Sequence, residues 1–239
     1  MKNNVFSRSL QFVALAALLA ITLSACTLAG DDNAGKNNPP NGQASDADKD
    51  DDTLAIPRID TQAAQLRVVL NTLYRQHVNL ASEALRASFD GAVQSDAAAH
   101  SLDRNSIEMA KVIGTIYGPD SEKRFLEIWR SHIGFFVDYT LASKKGDKAA
   151  MEKAVKNLGG YVDAIADFLS SANPNLPRQT VKDLVSQHIT HLKTAIDSYV
   201  VKEYAKSYLA QSDADLQMGA FADVITGAVV RQFPAKYNK

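Results

Sequence analysis

Leu73-Tyr74-Arg75-Gln76-His77-Val78, Ile128-Trp129-Arg130-Ser131-His132-Ile133 and Leu184-Val185-Ser186-Gln187-His188-Ile189 are three versions of one phrase, with their histidines 55 and 56 residues apart. Each sits in a longer run whose apolar positions recur at intervals of three and four. The first runs Leu66, Leu70, Leu73, His77, Leu80, Ala84; the second Phe125, Ile128, Trp129, His132, Phe136, Tyr139; the third Val181, Val185, His188, Leu192, Ala195, Tyr199. That spacing builds an amphipathic helix and puts each histidine on the stripe that faces the core. No stretch sustains period-two alternation, so the chain reads as all-α.

Outward from the histidines, other marks recur. Gly91 and Gly146 each stand fourteen residues after a histidine. Ala166-Asp167-Phe168-Leu169 begins 34 residues after His132, and Ala222-Asp223-Val224-Ile225 begins 34 after His188. The pattern predicts about six helices in three repeated antiparallel hairpins, arranged as a short array or closed into a bundle. Glycines at 91, 118 and 146 stop helices. Ser121 and Asp147 are candidate N-caps, and Asn173-Pro174-Asn175-Leu176-Pro177 breaks the chain. The expected helices are 61–90, 101–117, 121–145, 147–172, 177–200 and 203–232. Gly159-Gly160 falls inside a helical pattern, where close helix packing is the expectation. Trp129 and Tyr74 share a repeat position three residues before a histidine and are expected to fill the core.

The N-terminal quarter is different in kind. Lys2 and Arg8 precede an apolar run from Phe12 to Leu23, the length of a secretory signal and short for a membrane span. Residues 27–58 hold seven aspartates against Lys36, Lys49 and Arg58, with turn formers and almost no apolar surface. Such a stretch cannot offset its ordering entropy by burial and is expected to be a disordered tether. The chain therefore divides into a signal (1–25), a cysteine and acidic linker (26–58) and a helical domain (59–239). Of the 26 basic and 27 acidic residues in the chain, 21 and 20 fall in that domain, so it has no basic bias toward nucleic acid. The single cysteine, Cys26, leaves the domain without a disulfide, a thiolate nucleophile or a zinc-thiolate site.

Leu23-Ser24-Ala25-Cys26 resembles the lipobox of bacterial lipoproteins. The resemblance implies a diacylglyceryl thioether on Cys26, cleavage before it and N-acylation of the new terminus, a multiply acylated anchor that holds stably in a membrane. Thr27 rather than aspartate after the cysteine implies release to the outer membrane, facing the periplasm, if the source is Gram-negative. In a Gram-positive source the same anchor holds the domain on the outer face of the one membrane. Phe168-Leu169-Ser170-Ser171-Ala172-Asn173-Pro174-Asn175-Leu176-Pro177, the ending Gln232-Phe233-Pro234 and the recurring histidine are similar to those of secreted helical-hairpin repeat proteins of bacteria. That resemblance implies an extracytoplasmic helical-repeat fold and no particular activity.

The histidines admit two readings. In the first, each imidazole is buried and hydrogen-bonded within its own hairpin, fixing register. In the second, His77, His132 and His188, with His191 and with Glu108 or Asp163, form a site for zinc, copper, nickel or iron in the helical core. The hairpin turning at Gly146 sets His132 level with Tyr161 and Asp163. The same offset reaches Glu108 in the first hairpin, and Gly219, flanked by Asp215 and Gln217, in the third. His100 is expected in a loop. With no Gly-x-Ser-x-Gly elbow, no phosphate-cradling glycine loop and no Glu-x-x-His pair, the chain nominates no catalytic residue. The leading expectation is a non-enzymatic module, tethered to the envelope, that binds a protein partner or small ligand, with no cofactor beyond the lipid. The alternative is a metal-binding protein built on the histidine layer. A hydrolase comes third.

Overall fold

The computed structural model describes residues 60–237. The signal segment, Cys26 and the whole of the tether lie outside the described residues. The described chain is all-helical: α1 (Gln62–Asp90), α2 (Ser95–Tyr117), α3 (Pro119–Lys145), α4 (Lys148–Ala172), α5 (Arg178–Val200), α6 (Tyr204–Gln232) and a short α7 (Pro234–Tyr237).

The three hairpin turns share one device. At the first, Ala92 N–H donates to the Ala87 carbonyl and Gly91 N–H to Ser88; at the second, Asp147 N–H donates to Ala142 and Gly146 N–H to Ser143. Gly91 and Gly146 both take the left-handed conformation, φ 69°, that closes such a cap. The third turn repeats the bonds, Glu203 N–H to Ser198 and Lys202 N–H to Tyr199. There the left-handed residue is Lys202, φ 64°, fourteen residues after His188. Thr61 caps α1 by accepting from Ala64 N–H at 3.1 Å, and Asp147 caps α4 by accepting from Ala150 N–H at 3.0 Å.

Two reversals of direction per hairpin make α1, α3 and α5 parallel to one another and antiparallel to α2, α4 and α6. Each helix packs on the next, and α6 returns to pack on α1, while α1, α3 and α5 touch one another inside. The hairpins thus close into a ring of three, an inner triangle of histidine-bearing helices within an outer triangle. A bundle, not an open array, is what forms. Beneath it the three outer helices end in one polar knot. Asn173, fully buried, donates to Tyr117 Oη at 2.9 Å; Tyr117 Oη donates to Gln232 at 3.2 Å; Gln232 donates to the Ala172 carbonyl at 3.0 Å.

Charged pairs lace the seams between hairpins from outside. Arg67 of α1 holds Asp223 of α6 in a two-bond fork at 2.8 Å each, and Arg178 of α5 binds Asp167 of α4. Both arginines stand ten residues before a histidine and both aspartates 35 after the preceding hairpin's histidine, which gives the repeated aspartate its reason. A second tier lies nearer the histidines: Arg75–Asp215 across α1 and α6, and Arg130–Asp103 across α3 and α2.

Several expectations need correction. α2 begins at Ser95, six residues early, so His100 lies on a helix, exposed, rather than in a loop; Ala97-Ala98-Ala99 has high helix propensity without an apolar stripe to announce it. α3 starts at Pro119, where the missing N–H costs nothing, and Ser121 instead bonds back to the Tyr117 carbonyl at 3.2 Å. Gly159 and Gly160 are exposed, and a Cβ at either would meet no neighbour within 4 Å, so they are not close-packing sites.

Candidate metal centre

Because the inner helices run parallel and carry the histidine at the same repeat position, the three rings arrive at one level on the central axis. His77, His132 and His188 are 0%, 1% and 3% exposed. The His77 ring centroid lies 5.4 Å from that of His132 and 6.0 Å from that of His188. One ring nitrogen from each residue lies within 4.8 Å of the other two.

Their surroundings are aromatic. Trp129 packs 4.9 Å from His77 and 4.7 Å from His132, and Tyr161 stacks on His132 at 4.5 Å. Tyr74 meets Trp129 edge-on at 5.8 Å and Phe221 at 5.2 Å. Tyr74 and Trp129 are core fillers, at 1% and 2% exposure. Tyr161 sits where hairpin levelling put it.

Nearby amides serve the backbone instead of the imidazoles. Asn105 of α2 donates to the Leu73 carbonyl at 3.1 Å, and Gln217 of α6 donates to the Leu184 carbonyl at 2.9 Å. Both carbonyls lie four residues before a histidine. The imidazoles are left with little. His77 Nδ1 and both nitrogens of His188 are buried and meet no hydrogen-bonding group among the described residues, while His132 has the Trp129 carbonyl of its own helix beside it. Of the partners that the register-fixing reading expects within each hairpin, the Trp129 carbonyl beside His132 is present, and His77 Nδ1 and His188 show none among the described residues.

What does join them is one contact, His77 Nε2 to His132 Nε2 at 3.4 Å. That is long for a hydrogen bond. For comparison, two nitrogens bound at about 2.0–2.1 Å to one tetrahedral ion stand about 3.4 Å apart, and His188 has no nitrogen within hydrogen-bonding distance of the other two rings.

Burial keeps all three rings neutral, the form that ligates. Desolvation, then repulsion from His132 and His188, holds His77 well below the usual histidine range. Desolvation and the His188 ring push His132 down to about 3, an effect the Trp129 carbonyl only partly offsets. Desolvation and His191 push His188 down to about 4. Among the described residues no carboxylate joins the cluster.

The other candidates go elsewhere. Glu108 forms an ion pair with Arg104 one turn away, at 3.1 Å, on the outer face of α2. Asp163 is exposed and is shared by Arg178 and Lys182, which hold its carboxyl below the usual range. Lying level along a hairpin does not make a residue face inward, and both carboxylates turn to cations on the rim. Asp215 pairs with Arg75. His191, half-buried one turn along α5, is outside the converging set.

Beside the histidines lies a cavity of about 230 Å³ between α1, α2 and α3. It runs from the half-exposed Asp103–Arg130 pair to His77 and His132, past Ala84, Leu102, Ile133 and Phe136. Compared with protein-family models, curated proteins and solved structures, the chain matches none.

Proposed function

We propose that this chain is an envelope lipoprotein, anchored through Cys26, whose helical domain holds one transition-metal ion on His77, His132 and His188. The observation that carries the reading is the convergence of three buried, neutral imidazoles, one from each hairpin, with nitrogens of His77 and His188 unpartnered among the described residues. Burying polar groups without partners costs stability, and an ion supplies the partner that the protein does not. Three imidazoles suit zinc, copper, nickel or iron, and a three-ligand set leaves a coordination position for an exogenous ligand. The lipobox and acidic tether support presentation of this domain at a membrane surface.

The test is elemental analysis of the untagged full-length chain before and after exposure to each of those metals at neutral pH. One equivalent bound, and lost in the His77→Ala, His132→Ala, His188→Ala triple variant, supports the reading. A wild-type chain that retains no metal overturns it.

An interaction module without metal is the second reading. Val201, Tyr204, Leu209 and Leu216, on the α5–α6 turn and α6, are 48–67% exposed. It requires partner binding that is lost in Tyr204→Ser, Leu209→Ser and kept in the histidine variant, as a pull-down from envelope extracts would show.

A further inference from the structure

The cavity next to the histidines has a lining that the metal reading does not explain. It is walled by Ala81, Ala84, Leu85, Leu102, Ile133 and Phe136, and its deep wall includes His77 and His132. A closed apolar cavity of roughly 150 Å³ holds a benzene ring, so the 230 Å³ here accommodates a ring-sized body. The end near the surface is bounded by Asp103 and Arg130, locked to each other by bonds of 2.7 and 2.8 Å, and by the exposed Ala99.

Charge sets the other requirement. A divalent ion on three neutral imidazoles keeps its full charge, and among the described residues no carboxylate belongs to the cluster. An uncompensated charge in an aromatic core is costly. A compensating anion, whether hydroxide from a bound water or a carboxylate, has to come from outside the cluster, and the cavity is the space that leads from surface to ligands.

Resting on the metal reading above, we infer that the cavity receives a small organic monoanion whose apolar body fills the alanine-lined space and whose carboxylate completes the ion's coordination. Body and head are both required. The mostly apolar lining favours a ligand with an apolar body, and a carboxylate brings the ion a charge that a neutral molecule does not.

The experiment titrates the cobalt-loaded full-length chain with benzoate, acetate and benzyl alcohol, reading the visible absorption of the bound cobalt. Benzoate is expected to shift the band and to bind roughly tenfold or more tightly than acetate, which shares its head; benzyl alcohol, which shares its body, leaves the band unchanged. Ala84→Phe fills the cavity from the core side, and Ala99→Trp blocks its mouth from the exposed face of α2 without touching the core. Each is expected to weaken benzoate roughly tenfold while cobalt content holds. Equal affinity for acetate and benzoate, or benzoate binding untouched in both variants, overturns the inference and leaves the metal reading standing. A chain that takes up no cobalt, zinc, copper, nickel or iron overturns both.

Discussion

The axis and the rim of this ring treat polar groups in opposite ways. At the rim, Arg67, Arg75, Arg130 and Arg178 each meet an aspartate of the neighbouring hairpin, in reach of water. At the axis, three imidazoles are buried, and His77 Nδ1 and both nitrogens of His188 meet no hydrogen-bonding group among the described residues. The rim is explained by closure: exposed pairs contribute little energy each, but they set which seam meets which. The axis is not explained by folding, because apolar side chains of similar size would pack there at lower cost. Groups retained against their folding cost are where function is sought.

Acid should separate the two regions most sharply. In the metal-free protein the axis histidines stay neutral when folded but charge near pH 6.5 when unfolded, so the unfolded state binds more protons. Their stability contribution is complete above about 6.5 and is lost as pH falls toward the folded values, about 4 for His188 and about 3 for His132. Each proton taken up contributes about 1.4 kcal/mol per pH unit, so urea midpoints should drop steeply between pH 6.5 and 4. The rim responds later and by the opposite residue type. Arg67 and Arg178 hold Asp223 and Asp167 below 3.8, so their contribution is present above that value and lost beneath it. A flat stability profile from pH 7 to 4.5 would break the contrast.

Packing at the axis gives the next largest effect. Trp129→Ala removes a ring lying against both His77 and His132 and should cost about 3–5 kcal/mol by chemical denaturation. Metal works in the other direction. An ion at a hundredfold excess over its Kd should stabilise the wild-type domain by about 2.7 kcal/mol and the triple histidine variant not at all, a difference calorimetry reads directly. Smaller still is the strained turn. Lys202→Gly relieves a left-handed lysine where the other two hairpins use glycine, and should gain about 1 kcal/mol in thermal melts. Smallest is the rim itself: Arg67→Ala should shift the melting temperature slightly at low salt and less at high salt, since exposed pairs are screened.

Much of this was legible in the sequence because repetition converts one-dimensional spacing into three-dimensional position. Histidines 55 and 56 residues apart, each at the centre of an apolar seam, define the inner helices and bring the rings to one level. Closure into a ring was not legible, since α6 has an inward stripe in an open array as well. Levelling along the hairpin found Tyr161 but nominated Glu108 and Asp163 wrongly, because it gives height along a helix and not direction around it. Asp167 and Asp223 were visible as a repeated mark, but their arginine partners lie 11 and 156 positions away and carry no local signal. The sequence pattern places the third turn between residues 200 and 203, but Lys202, standing where the other two turns have glycine, gives no sign of its left-handed conformation.

The return of α6 to α1 has a consequence for the order of the chain. α7 packs on α1 as well as α6, so the last described helix lies against the first. In a closed ring of three like units, no hairpin is first except by where the polypeptide happens to be cut. Joining residue 237 to residue 60 through a short linker and opening the chain at Gly146 should yield a circular permutant with the same three seams and the same histidine axis.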